Sequence, residues 1–247
     1  MNAEKEDSGS TEAPVVAPVV AIDGPSGSGK GVITERLANM TGFHILDSGA
    51  LYRLVGYAAR LDSVALDREA PLAKLAATLD VEFLPNPEPG QPLIVSLRGQ
   101  DVTWAIRTDQ AGVDASIVGR LEAVRRSLGA LQVSFRKQPG LIADGRDMGT
   151  VVFPSASLKI FLTASVEARA ERRYKQLKDK DIDVSLPALL KSIQERDARD
   201  MERAVAPLKP AEDAVVIDST SLSIEEVVAQ AVTLLKKEIG TGVFQQN

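Results

Sequence analysis

Residues 24–31 read GPSGSGKG, in which three glycines and two serines lead to a lysine. Gly24, Gly27 and Gly29 give the backbone conformations that side chains exclude, so several N–H groups can converge on one anion. Lys30 adds a mobile positive charge. Such a loop wraps the phosphates of a nucleotide, and its candidate contacts are Gly24, Pro25, Ser26, Gly27, Ser28, Gly29, Lys30, Gly31 and Val32. In the common form of this loop a serine or threonine hydroxyl after the lysine holds Mg²⁺. Here Gly31 and Val32 follow, so Mg²⁺ is expected to rest on phosphate oxygens and water, helped by a nearby carboxylate. Asp23, Asp47 and Asp144 are candidates, and no protein ligand is assigned.

A second set of residues suits anion chemistry. Arg53 follows an apolar run that ends in Asp47 and Ser48, and Gly145, Arg146, Asp147 and Met148 follow another. In IQERDARDMERAVAPL, residues Arg196, Arg199, Asp200 and Arg203 fall within about 100° of arc on one helical face. Arg169, Arg172 and Arg173 make a similar face on the preceding helix. Charged helix faces are usually solvated, and Glu195 with Arg199 or Arg196 with Asp200 could be plain i to i+4 pairs. Transfer between two phosphorylated molecules, however, gathers negative charge that guanidinium forks clamp well.

The elements that must position these groups are apolar runs, most of which end in an acid or a small residue. They are VVAID at 19–23, FHILDSG at 43–49, LIADG at 141–145, LKIFLTAS at 158–165 and AVVIDST at 214–220. Their alternation with helical patterns predicts an α/β fold, a parallel five-stranded sheet with helices on both faces, which binds ligands beyond the carboxyl ends of its strands. Asp23, Asp47, Asp144 and Asp218 sit at those ends; for Asp23 and Asp218 a capping or turn role competes with binding. Ile33, Leu37 and Met40 mark the apolar face of the helix after the loop, with Gly42 placed to stop it. Ser48 is expected to cap the next helix, whose buried stripe is Leu51, Leu54, Val55 and Ala58. Between about 62 and 112, strands at 79–84 and 93–97 flank a hairpin loop at 85–92, a small antiparallel β insert packed by Trp104. His44, the only histidine, reads as a core or structural residue and no catalytic base.

The chain has 247 residues, 44% of them apolar and 26% charged, enough for one α/β core with insertions. No apolar run approaches the ~18 residues that cross a bilayer. There is no cysteine and no leader-like start, which predicts a soluble cytoplasmic protein without membrane association. A net charge of −5 argues against a polynucleotide partner. Residues 1–14 read as a disordered tail and 241–247 as a second tail.

Four segments closely resemble the bacterial cytidylate kinase family: GPSGSGKG at 24–31, LDSGALYR at 46–53, GLIADGRDMGTVVFP at 140–154 and ERDARDMERAVAPL at 195–208. The likeness runs from about residue 18 to 237. It implies a P-loop NTPase-like fold and a single domain over 15–240. Within it lie a nucleoside-monophosphate-binding region at about 48–125 and a helical lid at about 170–200. It implies transfer of a phosphoryl group from ATP, with Mg²⁺, to CMP or dCMP. By motif, Ser48, Arg53, Ser116, Arg125, Arg146, Asp147, Arg196, Asp200 and Arg203 would surround the CMP. Lys30, Arg146, Arg196 and Arg203 would serve catalysis, and a monomer is expected. The family usually has threonine where Val32 stands, which touches the metal site and not the phosphate loop.

The chemistry agrees with this resemblance. A phosphate acceptor is already ionised at neutral pH, so catalysis reduces to positioning and charge stabilisation. Cytosine offers an amino donor beside a bare ring nitrogen. Asp147 can accept from the first while Arg125 and Ser116 donate to the acceptors; uracil reverses this edge. Asp200 could read the ribose or hold the arginines. A kinase for another nucleotide or small acceptor would keep the loop yet leave GRDMGT and the Arg196 to Arg203 face without a purpose. A nucleotide-switched binding protein of the GTPase type would need an Asn-Lys-x-Asp segment, and none occurs.

Overall fold

The computed structural model describes residues 16–84, 86, 88, 93–179 and 181–244. The expected tail at 1–14 lies outside them, as do most of the hairpin loop at 85–92 and the last three residues of the C-terminal tail. Strand β1 (Val19–Asp23) is buried along its whole length, as a continuous apolar run demands of a central parallel strand. It leads through the glycine loop into α1 (Lys30–Thr41), then β2 (His44–Asp47) and α2 (Ser48–Leu61). After α3 (Glu69–Ala77) come β3 (Val81–Leu84), β4 (Ile94–Leu97) and β5 (Gln100–Asp101). Helices α4 (Asp109–Val118) and α5 (Glu122–Ser134) return the chain to β6 (Leu141–Gly145). It finishes through β7 (Leu158–Thr163), α6 (Val166–Lys178), α7 (Leu186–Met201), β8 (Val215–Asp218) and α8 (Ile224–Glu238).

Five strands form a parallel sheet in the order β2-β6-β1-β7-β8. Alternation along β1 sorts its side chains between two cores. Val19 and Ala21 pack with α2, α3 and α5; Val20 and Ile22 pack with Ile33 and Leu37 of α1 and Ala231 and Leu235 of α8. With β6 on one side of β1 and β7 on the other, β1 is the point where the winding reverses, and a crevice opens beyond its carboxyl end. Strands β3, β4 and β5 form the expected antiparallel insert. No helix among the described residues is long and apolar enough to cross a membrane.

Three local expectations are corrected, and a fourth, for His44, is narrowed to its structural alternative. The N-cap of α2 is Asp47, whose carboxylate accepts from Ala50 N at 2.9 Å; Ser48 is the first helical residue and its hydroxyl stays available. Met40 is 40% exposed, because the buried stripe of α1 runs through Ile33, Thr34, Leu37, Ala38 and Thr41 and leaves it at the rim. Trp104 is 56% exposed; the insert packs instead through Val95, Leu97, Val102 and Ile106. His44 is exposed at the sheet edge, where its Nε2 lies 2.9 Å from Gln138 O, a structural contact outside the core.

Candidate active site

The loop after β1 turns through positive φ at Gly24, Gly27 and Gly29. At Gly24 the requirement is absolute: a Cβ would stand 2.0 Å from the carbonyl oxygen of Leu162 on β7. Gly29 is the N-cap of α1 and brings no side chain to it, so the first-turn N–H groups of the helix remain open to an anion. Ser28 Oγ and Lys30 Nζ both donate to Pro25 O, at 3.1 and 2.9 Å, which folds the loop into a cradle with the ammonium inside. Burial, with Arg146 nearby, lowers the Lys30 pKa to about 8, against the pull of Asp144.

Asp144, the penultimate residue of β6, has its carboxylate 3.9 Å from Lys30 Nζ, and burial raises its pKa to about 7 despite that lysine. Val32 is 39% exposed and offers no oxygen. Among the described residues no three metal-ligating side chains gather. One carboxylate beside a phosphate cradle nevertheless suits Mg²⁺, which keeps most of its waters and takes its other ligands from phosphates. Asp47 serves α2 as its cap, and Asp23 is spent on the backbone of residues 148 and 149. Asp144 is the expected candidate that remains.

Beside the cradle lies an open cleft. Of the nine residues expected around an acceptor, seven line it: Ser48, Ser116, Arg146, Asp147, Arg196, Asp200 and Arg203. Asp200 is almost fully buried and holds two guanidiniums, with Oδ2 accepting from Arg146 Nε at 3.0 Å and Oδ1 accepting from Arg203 Nη2. Burial pushes Asp200 up, but Arg146, Arg203 and Arg196 outweigh it and leave its pKa below the usual value. Burial likewise pulls Arg146 down while Asp200 and Asp144 more than restore it. Arg196 has no such partner. It makes no ion pair or hydrogen bond among the described residues, its buried Nε included, and burial with Arg146 and Arg53 lowers its pKa to about 9. The cleft therefore carries positive charge that the protein leaves unbalanced.

The other two expected residues do not line the cleft. Arg125 donates through Nη2 to Asp147 Oδ2 and through Nη1 to Gly119 O at 3.1 Å, with its guanidinium 5.5 Å from the Tyr52 ring centre. Arg53 donates to Ile106 O at 2.9 Å, which ties α2 to the insert. Burial pushes Asp147 up against the pull of Arg125 and Arg203. Tyr52 lines the cleft and was missed, although it falls four residues after Ser48 on the same helical face.

The arginine face of the preceding helix divides by task. Arg169 is buried, donating from Nη1 to Ser26 O at 3.0 Å and pairing with Asp197 of α7 at 2.5 Å. Arg172 donates to Ser219 O, and Arg173 reaches Asp109 at 3.1 Å. Arg199 does not line the cleft. Asp197 gives no local sign of its role, because its partner lies on another helix.

The family model described as cytidylate kinase matches residues 20–237. The cytidylate kinase of Aeromonas hydrophila subsp. hydrophila is 54% identical over 227 residues, covering 92% of this chain and 97% of that protein. That of Stutzerimonas stutzeri is 58% identical over 211 residues, covering 85% and 92%. On a match of this extent, carried through the phosphate cradle and the arginine-walled cleft, the chain belongs to the cytidylate kinase family.

Proposed function

We propose that the protein transfers the γ-phosphoryl group of ATP to CMP or dCMP, yielding ADP and CDP or dCDP. The observation that carries this reading is a pair of adjacent anion sites at the carboxyl end of β1, one in the loop around Lys30, the other walled by Arg146, Arg196 and Arg203.

The cradle and Lys30 hold the ATP phosphates. Arg196, which has no ion pair among the described residues, takes its counter-charge from the phosphate of CMP, and Arg146 and Arg203 are presented to the same phosphate by Asp200. Arg53 adds a further cation, since it depresses Arg196 through space. With both phosphates so held, the attacking oxygen is already ionised and no general base is needed. Mg²⁺ bound to the ATP phosphates would spread the charge of the transferring group; Asp144 would hold it through water.

Asp147 and Arg125 present an acceptor and a donor side by side, which complements the amino group and ring nitrogen of cytosine and opposes the oxygen and N–H of uracil. Ser116 and Ser48 complete the polar lining. Both oxygens of Asp200 already accept from guanidiniums, so its main task is holding the arginines. Helices α6 and α7 form the lid over the two sites, and 48–125 the acceptor-binding region of one domain over 15–240. A monomer and a cytoplasmic setting go with this reading.

The test is a panel of CMP, dCMP, UMP, AMP and GMP with ATP and Mg²⁺, read as nucleoside diphosphate formed. CMP and dCMP should lead UMP by at least about tenfold in kcat/KM, because each mismatched buried polar group costs ~1 to 3 kcal/mol. Equal rates with CMP and UMP would overturn the assignment of Asp147 and Arg125. Hydrolysis of ATP with no acceptor used would overturn the kinase reading itself.

A further inference from the structure

The residue that joins the two halves of the site touches neither ligand cleft. Asp23 is the last residue of β1, directly before the phosphate loop, and is 5% exposed. Its Oδ1 accepts from Met148 N and Oδ2 from Gly149 N, both at 2.8 Å.

Those two N–H groups open a single π-turn over Met148–Val152, closed by Phe153 N donating to Met148 O at 2.7 Å. The turn has no side-chain cap of its own at Asp147, the residue that begins it. Its first N–H groups would lack partners in a buried setting, so the cap must come from elsewhere in the fold. Asp23 supplies it across the sheet, from the strand position paired with Gly145. The turn is also confined sideways: a Cβ on Gly149 would lie 3.1 Å from Lys159 Cδ and 3.4 Å from Asp23 Oδ2.

Asp147 thus stands between two fixed points, the end of β6 at Gly145 and a turn clamped by Asp23. Its side chain is the acceptor paired with Arg125. A turn free to slide by a few tenths of an ångström would carry that pair with it, while leaving the phosphate loop in place.

We propose that Asp23 is a positioning residue for base selection: it sets the Asp147–Arg125 edge relative to the phosphate loop by capping the turn that follows Asp147. The proposal rests on the reading of the cleft as a CMP site. Asp23→Asn keeps the size but turns one oxygen into an N–H donor facing a backbone N–H, which breaks one of the two bonds and repels the turn. Asp23→Glu keeps charge and both oxygens but moves them outward by one methylene.

The experiment measures kcat/KM for CMP and UMP, KM for ATP, and amide hydrogen exchange over 147–153 in the wild type and both variants. A single displaced hydrogen bond of this kind is expected to lower the CMP to UMP ratio by about tenfold. KM for CMP should rise, KM for ATP should stay within about twofold, and exchange should quicken over 147–153. Asp23→Glu, which preserves charge and gives a second chance of a folded variant, should show the same direction with a smaller change. An unchanged CMP to UMP ratio in a folded variant would overturn the proposal, as would equal rises of both KM values, which would assign Asp23 to the phosphate loop. No preference for CMP in the wild-type protein would instead refute the reading of the cleft.

Discussion

Arg196→Met should make the ligand-free protein more stable and much less active. Arg196 has no ion-pair partner, its Nε is buried without an acceptor among the described residues, and the charges that depress it are led by Arg146 and Arg53. A pKa lowered from 12.5 to about 9 corresponds to a cost of roughly 5 kcal/mol at most, present at every pH below that value. The side chain is partly open to water through the cleft, so solvent screening reduces the figure to about 1 to 3 kcal/mol, the range for an unsatisfied buried donor. Methionine fills much of the same volume without the charge. For a chain of this size the gain corresponds to a Tm higher by about 3 to 9 °C, readable by calorimetry without ligand. Two charge-assisted hydrogen bonds to phosphate would be lost, so kcat/KM for CMP should fall by about 10²- to 10³-fold in a coupled assay of ADP release. The stabilisation that CMP confers on the wild type should shrink in parallel. Arg196→Lys, which keeps the charge but not the fork, should gain no stability and lose activity to an intermediate degree. A lower Tm for Arg196→Met without ligand, or an undiminished CMP shift, would refute the reasoning.

Three further outcomes are expected. Lys30 is lowered to about 8 by burial and by Arg146, so ATP phosphates, which favour the charged ammonium, should draw a proton onto it above that pH. ATP affinity should weaken by up to about one log unit per pH unit above pH 8, and titration calorimetry in buffers of different ionisation enthalpy should show proton uptake; pH-independent affinity would contradict this. Asp147→Ala should lower the CMP to UMP ratio of kcat/KM by about 10- to 100-fold by removing the acceptor for the cytosine amino group, and an unaltered ratio would assign base reading elsewhere. Gly24→Ala places a Cβ 2.0 Å from Leu162 O and should lower Tm by roughly 3 to 9 °C, whereas Gly31→Ala, whose Cβ finds its nearest neighbour at 4.0 Å, should leave Tm within about 2 °C.

Local chemistry made much of the site legible. A glycine loop between a buried strand and a helix has few uses besides phosphate binding, and strands that end in acids and alternate with helices leave a parallel sheet as the natural arrangement. Local pattern does not settle which of two adjacent residues caps a helix, or which side of an insert faces water. Asp47 outcompeted Ser48 as the cap of α2, and Trp104 faced outward although tryptophan usually anchors small inserts. Arg199 and Arg196 share a helical face by periodicity, yet only Arg196 lines the cleft, because the partner surface covers less than the full arc.

Residue types and spacing alone pointed to a phosphate-binding loop, to a resemblance to the cytidylate kinases, and to arginines gathered on helix faces that suit anion chemistry. Tertiary structure decided how those charges are shared. Asp200 holds Arg146 and Arg203, Asp147 holds Arg125, and Asp197 holds Arg169 against the phosphate loop, leaving Arg196 without an ion pair among the described residues. Most of these pairs, and the cap that Asp23 places on Met148 and Gly149, join residues far apart in the chain. Spacing along a sequence can set which side chains share a helix face or a strand end. Which carboxylate neutralises which guanidinium depends on distances of a few ångströms across packed elements, and only folding sets those.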